Sequence, residues 1–166
     1  GVAITTGALN TLVGALAGDA MTVAASNIAI GHQALTAEVA GHRNVAIGHN
    51  TLATQSSSGS TNAYNTAVGH TAGGNVTTGL FNTLIGGLAG DSLTTGSNNI
   101  MIGYQSEISA VAAENQIVIG VDIASGGDNT FRFGKASNTV TNTFTSDNAW
   151  SQSSDERLKT NISNDS

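Results

Sequence analysis

The sequence has no cysteine and no proline, and it is poor in charge and in aromatic side chains. Without cysteine there are no disulfides and no thiolate metal ligands, and the redox compartment stays open. Charged residues make up 10% of the chain, against roughly 25% in an ordinary globular domain. Only five residues are Lys or Arg and the net charge is −6. That excludes the clustered basic surface that a nucleic-acid backbone demands. Aromatics are 4%, too few large side chains for a conventional core. No apolar run approaches the roughly 18 residues of a membrane-spanning helix, and no signal peptide is visible. Gly1 is not expected to be a natural start, and the sequence is expected to be a piece of a longer chain.

What the sequence does have is 21 glycines, much Asn, Thr, Ser and Ala, and a repeat. A frame opening Asn-x-apolar-Val/Ile-Gly begins at Asn10, Asn27, Asn44, Asn65, Asn82 and Asn99, with a last copy at Gln116. The step is 17 residues except between Asn44 and Asn65, where it is 21. A fixed short period marks a chain that stacks one small unit on the next. That predicts an elongated shaft or binding surface and argues against a pocket-based enzyme. The four extra residues, within Gln55–Tyr64, are expected to bulge as a surface loop.

With the leading Asn as position 0, three columns are apolar or β-branched. Position +3 is Val13, Ile30, Ile47, Val68, Ile85, Ile102 and Ile119. Position +1 mixes Ile and Val with Thr, and it shares a strand face with +3 because side chains alternate along a strand. Position +2 faces the other way and is Leu12, Ala29, Ala46, Ala67, Leu84, Met101 and Val118. Both faces of this strand therefore avoid water. The expectation is that the +1/+3 face fills the coil and that the +2 column meets a second copy of the chain. The alternative is a monomer whose own chain covers the +2 column. Position +4 is always Gly, as a backbone turning with positive φ or passing close to another chain requires. Thr94–Asn99 reads as a second short strand followed by a turn, which makes each coil two strands and two corners. The Asn column is expected to form a side-chain ladder. At ~4.8 Å per coil the rod is roughly 30 Å long.

After Gly120 the frame stops. Residues 121–129 read as a transition loop, and Thr130–Gly134 and Asn138–Thr145 alternate as strands do. A polar stretch leads to Trp150, then to Ser154-Asp155-Glu156-Arg157-Leu158-Lys159 with Asn161-Ile162 close behind. This segment resembles the junction that opens the intramolecular chaperone of phage tailspikes and tail fibres, the S74 autopeptidase family. The Asn-x-Ala-Ile-Gly repeats are similar to those of phage fibre shafts and of trimeric autotransporter heads. The resemblance implies a homotrimer, a scissile bond at Ser154–Asp155, Ser154 as nucleophile and Lys159 as the group that activates it. It also implies a virion tail fibre acting outside the cell, attached to a host receptor that is a glycan or an outer-membrane protein. Only twelve residues follow Ser154, so the fragment itself is not expected to cut.

The expected fold is all-β: a trimeric parallel β-roll or solenoid of 17-residue coils at 1–124, an intertwined β region at 125–150 and the chaperone junction at 151–166. The alternative is the head of a bacterial trimeric autotransporter adhesin. No cofactor, metal, nucleic acid or membrane insertion is expected. His32, His49 and His70 recur at +5, which invites a metal ladder, but no carboxylate or Cys recurs beside them and a polar residue after a turn accounts for them. Ser125-Gly126-Gly127-Asp128 is a single copy of a calcium-binding pattern that must recur to make a site. Asp19 and Asp91 sit about four coils apart, too far for a glycosidase pair at ~5–10 Å.

Overall fold

The computed structural model describes residues 3–57, 59 and 61–144, together with the backbone of 151–152. Its described residues form no helix; they form a parallel β-solenoid. Each frame contributes one three-residue strand: β1 Thr11–Val13, β2 Ile28–Ile30, β3 Val45–Ile47, β4 Thr66–Val68, β5 Thr83–Ile85 and β6 Ile100–Ile102. Next come β7 (Ser106–Glu107), β8 (Ile117–Val121), β9 (Ile123–Ala124), β10 (Thr130–Lys135), β11 (Asn138–Thr143) and β12 (Ser151–Gln152). The main sheet has ten strands in the order β1-β2-β3-β4-β5-β6-β8-β10-β11-β12, and β7 pairs β9 in a second, two-stranded sheet. Strands β1 to β10 of the main sheet run parallel, and the β10–β11 hairpin is antiparallel.

The register is frame on frame: Ala29 lies opposite Ala46, and Leu84 opposite Met101. This settles which face is inside. Position +2, expected at a subunit contact, is the lumen: Ala29, Ala46, Ala67, Leu84, Met101 and Val118 are all fully buried within the single chain. The +1/+3 face, expected to fill the coil, points outward, with Ile28, Ile47, Ile85 and Ile119 between 36% and 40% exposed. Size is not the reason, since Leu84 and Met101 fill the same column as the alanines of three successive coils. The difference lies at Cβ: the +2 column carries one β-branched residue, Val118, while the outer rows are almost all Ile, Val or Thr, which suit a pleated surface.

Small residues at +7 (Ala17, Ala34, Ala72, Ala89) and +14 (Ala24, Gly41, Gly79, Gly96) are buried, and larger ones at +11 (Met21, Val76, Leu93) close the far wall. Burying a methyl contributes only about 0.8 kcal/mol, so this core is thin and the coil relies on hydrogen bonds. The Asn column supplies them. Each Oδ1 accepts the backbone amide of the next coil's leading residue, as in Asn44 N→Asn27 (2.8 Å), Asn82 N→Asn65 (2.9 Å) and Gln116 N→Asn99 (3.0 Å). Asn27, Asn65, Asn82 and Asn99 also donate Nδ2 to the carbonyl at +14 of their own coil.

The corners use left-handed backbone far beyond glycine. Position −1 (Ser26, Arg43, Tyr64, Phe81) and position +6 (Gln33, Asn50, Thr71, Leu88) all hold φ between 51° and 63°. Such residues cost about 1 kcal/mol or more each. What they gain is direction: the +6 amides donate back to the preceding coil, as in Asn50 N→His32 O (2.9 Å) and Leu88 N→His70 O (2.9 Å). Amides of the strand segment donate both ways, Thr11 N→Asn27 O forward and Gly31 N→Val13 O back, and the left-handed positions extend this two-way bonding into the corners. Position +4 requires glycine twice over. Gly48 has φ 138°, and a Cβ there would lie 2.3 Å from the carbonyl oxygen of Gly69.

Three further expectations change. Thr94-Thr95 is a bend and not a strand, although Thr77 N→Thr94 O and Thr94 N→Val111 O still tie the coils at that phase. The four-residue insertion is anchored before it bulges: Gln55 and Ser57 are buried, Ser57 N donates to the buried Glu38 carboxylate, and Asn65 Nδ2 reaches Gln55 Oε1 at 2.7 Å. The frame also does not end at Gly120. Phe131, Arg132, Phe133 and Gly134 pair in register with Ile117, Val118, Ile119 and Gly120, an eighth copy reached after a shorter step. Its +2 residue is Arg132, whose guanidinium donates to Thr139 Oγ1 (2.8 and 3.0 Å) and to Ala124 O (3.0 Å), closing the end of the coil with hydrogen bonds.

Candidate interaction surface

The most extended chemical feature of the described residues is the outward face of the main sheet. The +1 row runs Thr11, Ile28, Val45, Thr66, Thr83, Ile100, Ile117 and Phe131, and the +3 row runs Val13, Ile30, Ile47, Val68, Ile85, Ile102, Ile119 and Phe133. Neither row contains a charged residue. At ~4.8 Å per strand the rows run for about 34 Å. Contiguous apolar patches beyond a few hundred Å² are rare on monomers, and eleven of these sixteen side chains are Ile or Val. Phe131 and Phe133, with ring centroids 5.5 Å apart, continue the rows past the last Asn-type frame. Sequence reading missed them as part of this face; their signal was the aromatic-x-aromatic-Gly spacing, which repeats +1, +3 and +4.

Two side-chain stacks stand on the coil corners. His32, His49 and His70 are exposed and stack with centroids 5.2 and 5.1 Å apart and planes 13° and 9° from parallel. Ring planes this nearly parallel hold corresponding nitrogens about 5 Å apart. One ion with bonds of ~2.0–2.1 Å spans at most about 4.2 Å between two nitrogens, so the stack as it stands does not clamp a metal. Among the described residues no group of three or more His, Asp, Glu or Cys is placed to hold an ion. At position −1, the Arg43 guanidinium lies over Tyr64, 5.6 Å from its centroid, and Tyr64 stacks on Phe81 at 5.8 Å. Arg43 Nη1 also donates to Asn62 Oδ1.

Of the acids, Asp91 acquires a partner that sequence spacing did not reveal. Glu107 accepts Asp91 N at 3.1 Å and Ser92 N at 3.3 Å. Its carboxyl is pushed up to about 7 by burial first, and then by the hydrogen bond and charge of Asp91. Gln105, Glu107, Asp122, Ile123 and Ala124 line an open cleft of about 350 Å³ beside it. Asp128, considered for calcium, uses Oδ1 to accept Glu114 N and Gln116 Nε2, both at 2.9 Å. It thereby terminates the Asn ladder, and Gln116, longer than Asn, is what reaches it. Ser154, Asp155 and Lys159 lie outside the described residues, as does Trp150. No helix among the described residues is long and apolar enough to cross a membrane. The chain matches no protein-family model, no curated protein and no solved structure.

Proposed function

We propose that this chain is a structural segment of a trimeric phage tail fibre or tailspike, which serves host-surface attachment. The observation that carries the reading is the uncharged outward face of the sheet. A solenoid working alone in water would place polar residues there, and here Ile, Val and Phe persist from strand to strand. Three parallel copies, each turning this face toward the fibre axis, would cover it and leave the corner stacks outside. The role is mechanical. The ladders pair the backbone of each coil, trimer closure buries the outer rows, and the resulting rod presents or spaces a tip that meets a glycan or outer-membrane protein. Maturation by loss of a C-terminal chaperone at Ser154–Asp155 is supported by the Ser-Asp-Glu-Arg-Leu-Lys segment. That segment is also what favours a phage fibre over the head of a bacterial trimeric adhesin, which would share the repeat.

Sedimentation or native mass measurement on the folded chain tests the assembly. The expected mass is about three times 16.6 kDa; a stable monomer at micromolar concentration would overturn the trimer. In a precursor carrying the chaperone, Ser154→Ala should abolish cleavage at that bond. Continued cutting there would remove the autopeptidase assignment.

A further inference from the structure

The second, third and fourth coils depart from their neighbours at one corner. At +6 the first and fifth coils carry Leu16 and Leu88, and at +9 they carry Asp19 and Asp91. Between them +6 is Gln33, Asn50 and Thr71, and +9 is Thr36, Ala53 and Gly74, without charge. The same three coils hold the histidine stack at +5, directly before the +6 residues. The corner itself accepts leucine: Leu16 and Leu88 hold φ of 60° and 59°, as Gln33, Asn50 and Thr71 hold 57°, 54° and 56°. Backbone geometry therefore does not demand the polar set.

These coils enclose a cleft of about 340 Å³. Gln33, Thr36, Asn50, Thr54, Thr71 and Asn75 line it, and no charged residue does. Amides and hydroxyls both donate and accept, and two are already oriented by the chain. Thr54 Oγ1 donates to Gly74 O or Val76 O, both at 2.9 Å, and Asn75 Nδ2 donates to Asp91 O at 2.8 Å. Asn75 Oδ1 is thereby left to accept. Asn50, in the middle coil of the three, has a buried Oδ1 with no hydrogen-bond partner, an unmet acceptor of the kind that a native fold seldom keeps.

We propose that this cleft binds an uncharged oligosaccharide lying along the rod. A sugar hydroxyl both donates and accepts, and one entering beside Asn50 would supply the donor that Oδ1 lacks. The +6 amides and hydroxyl recur at the coil spacing, over about 10 Å for three coils, so successive sugar rings would meet like groups. An acidic saccharide would find no cation in the cleft and an aspartate at +9 in the coil on either side. An extended peptide would seek free backbone groups, and here they are paired between coils: Asn50 N→His32 O, Thr54 N→Gly74 O and Thr71 N→His49 O. The cleft lies off the +1/+3 face, so the proposed trimer would leave it open. The proposal stands on the single chain and gives the shaft a contact of its own, beyond its mechanical role.

The test passes the labelled whole chain over an array of linear neutral oligosaccharides, acidic oligosaccharides and unstructured hydrophilic peptides. Neutral oligosaccharides of two or more rings should retain it. With the best-retained sugar, the side-chain amide resonances of Gln33, Asn50 and Asn75 should shift. Gln33→Leu and Asn50→Leu install the residue that the flanking coils carry at +6, so the circular dichroism should stay unchanged while each weakens affinity by about tenfold. Tyr104→Ala removes an exposed aromatic two coils beyond the cleft and should bind as wild type does. No retention by any neutral sugar, preference for acidic sugars or peptides, or full affinity in both leucine variants would overturn the proposal. A trimer that ignores neutral sugars would lose the cleft and keep the fibre reading; a monomer that binds them would do the reverse.

Discussion

Leu84 and Ile85 are neighbours on one three-residue strand, both apolar, and they live in different worlds. Leu84 is fully buried in the lumen, while Ile85 is 39% exposed on the outer face. The same contrast runs the length of the rod, between Ala46 and Ile47 and between Val118 and Ile119. Inside, the +2 column from Leu12 to Val118 is Ala, Leu and Met with one Val; outside, the rows are β-branched Ile, Val and Thr, ending in Phe. Neither hydrophobicity nor volume distinguishes core from surface here, since Leu84 and Ile85 are isomers; branching at Cβ does. The inner face is satisfied by its own chain. The outer face is apolar and partly exposed in the single chain, and it is the face that the proposed trimer would cover.

Charge insertion separates the two faces most sharply. Leu84→Asp places an unpaired carboxylate in a sealed lumen and should cost more than about 4 kcal/mol, enough to abolish folding. Ile85→Asp should leave the far-ultraviolet circular dichroism of the coil in place and convert the proposed trimer to single chains. If both variants unfolded alike, the faces would not differ as described. Next in size is Gly48→Ala, which combines a left-handed φ with a Cβ 2.3 Å from Gly69 O and should cost about 3 kcal/mol by denaturant titration. Below it comes Asn82→Ala. Asn82 Oδ1 accepts Asn99 N (3.0 Å) and Asn99 Nδ2 (3.1 Å), and its Nδ2 donates to Gly96 O (3.0 Å). Removing it leaves buried polar groups unpaired, for about 1–3 kcal/mol. A negligible change in the unfolding midpoint would demote the ladder to ornament.

How much of this was legible follows from what repeats. The coil period, the parallel strand in each frame, the glycine column and the Asn ladder all recur at fixed spacing, and the structure has each of them. The inward face was not legible from polarity because +1, +2 and +3 are all apolar; the alanines at 29, 46 and 67 carried the missing signal. The eighth frame was hidden because Gln116 to Thr130 is 14 residues and because Arg132, a charged residue, takes the lumen position at the end of the coil, where its donors meet Thr139 and Ala124. Single-copy contacts escaped for a simpler reason. Glu107 meets Asp91, and Asp128 meets Gln116, only after the coils are stacked, and no column of the repeat points to either pair. The proposed cleavage junction is a single-copy feature too, read from the resemblance at Ser154–Asp155 alone.

The finest test of the contrast is the mildest change. Val68→Thr keeps the β-branch, the strand preference and the shape of the side chain, and replaces one outward methyl by a hydroxyl. Threonine already stands in the adjoining +1 row at Thr66 and Thr83, so the single chain has no reason to resist it. Stability of the isolated chain should move by less than about 0.5 kcal/mol, measured at a concentration where it is monomeric or in the background of Ile85→Asp. In the proposed trimer the hydroxyl would be carried into an apolar contact once per chain. Lacking a hydrogen-bond partner there, it should cost about 1–3 kcal/mol per site, read as a shift in the dissociation midpoint on dilution. A large loss in the isolated chain would mean that Val68 is packed by its own coil, and the division between the two faces would fall with it.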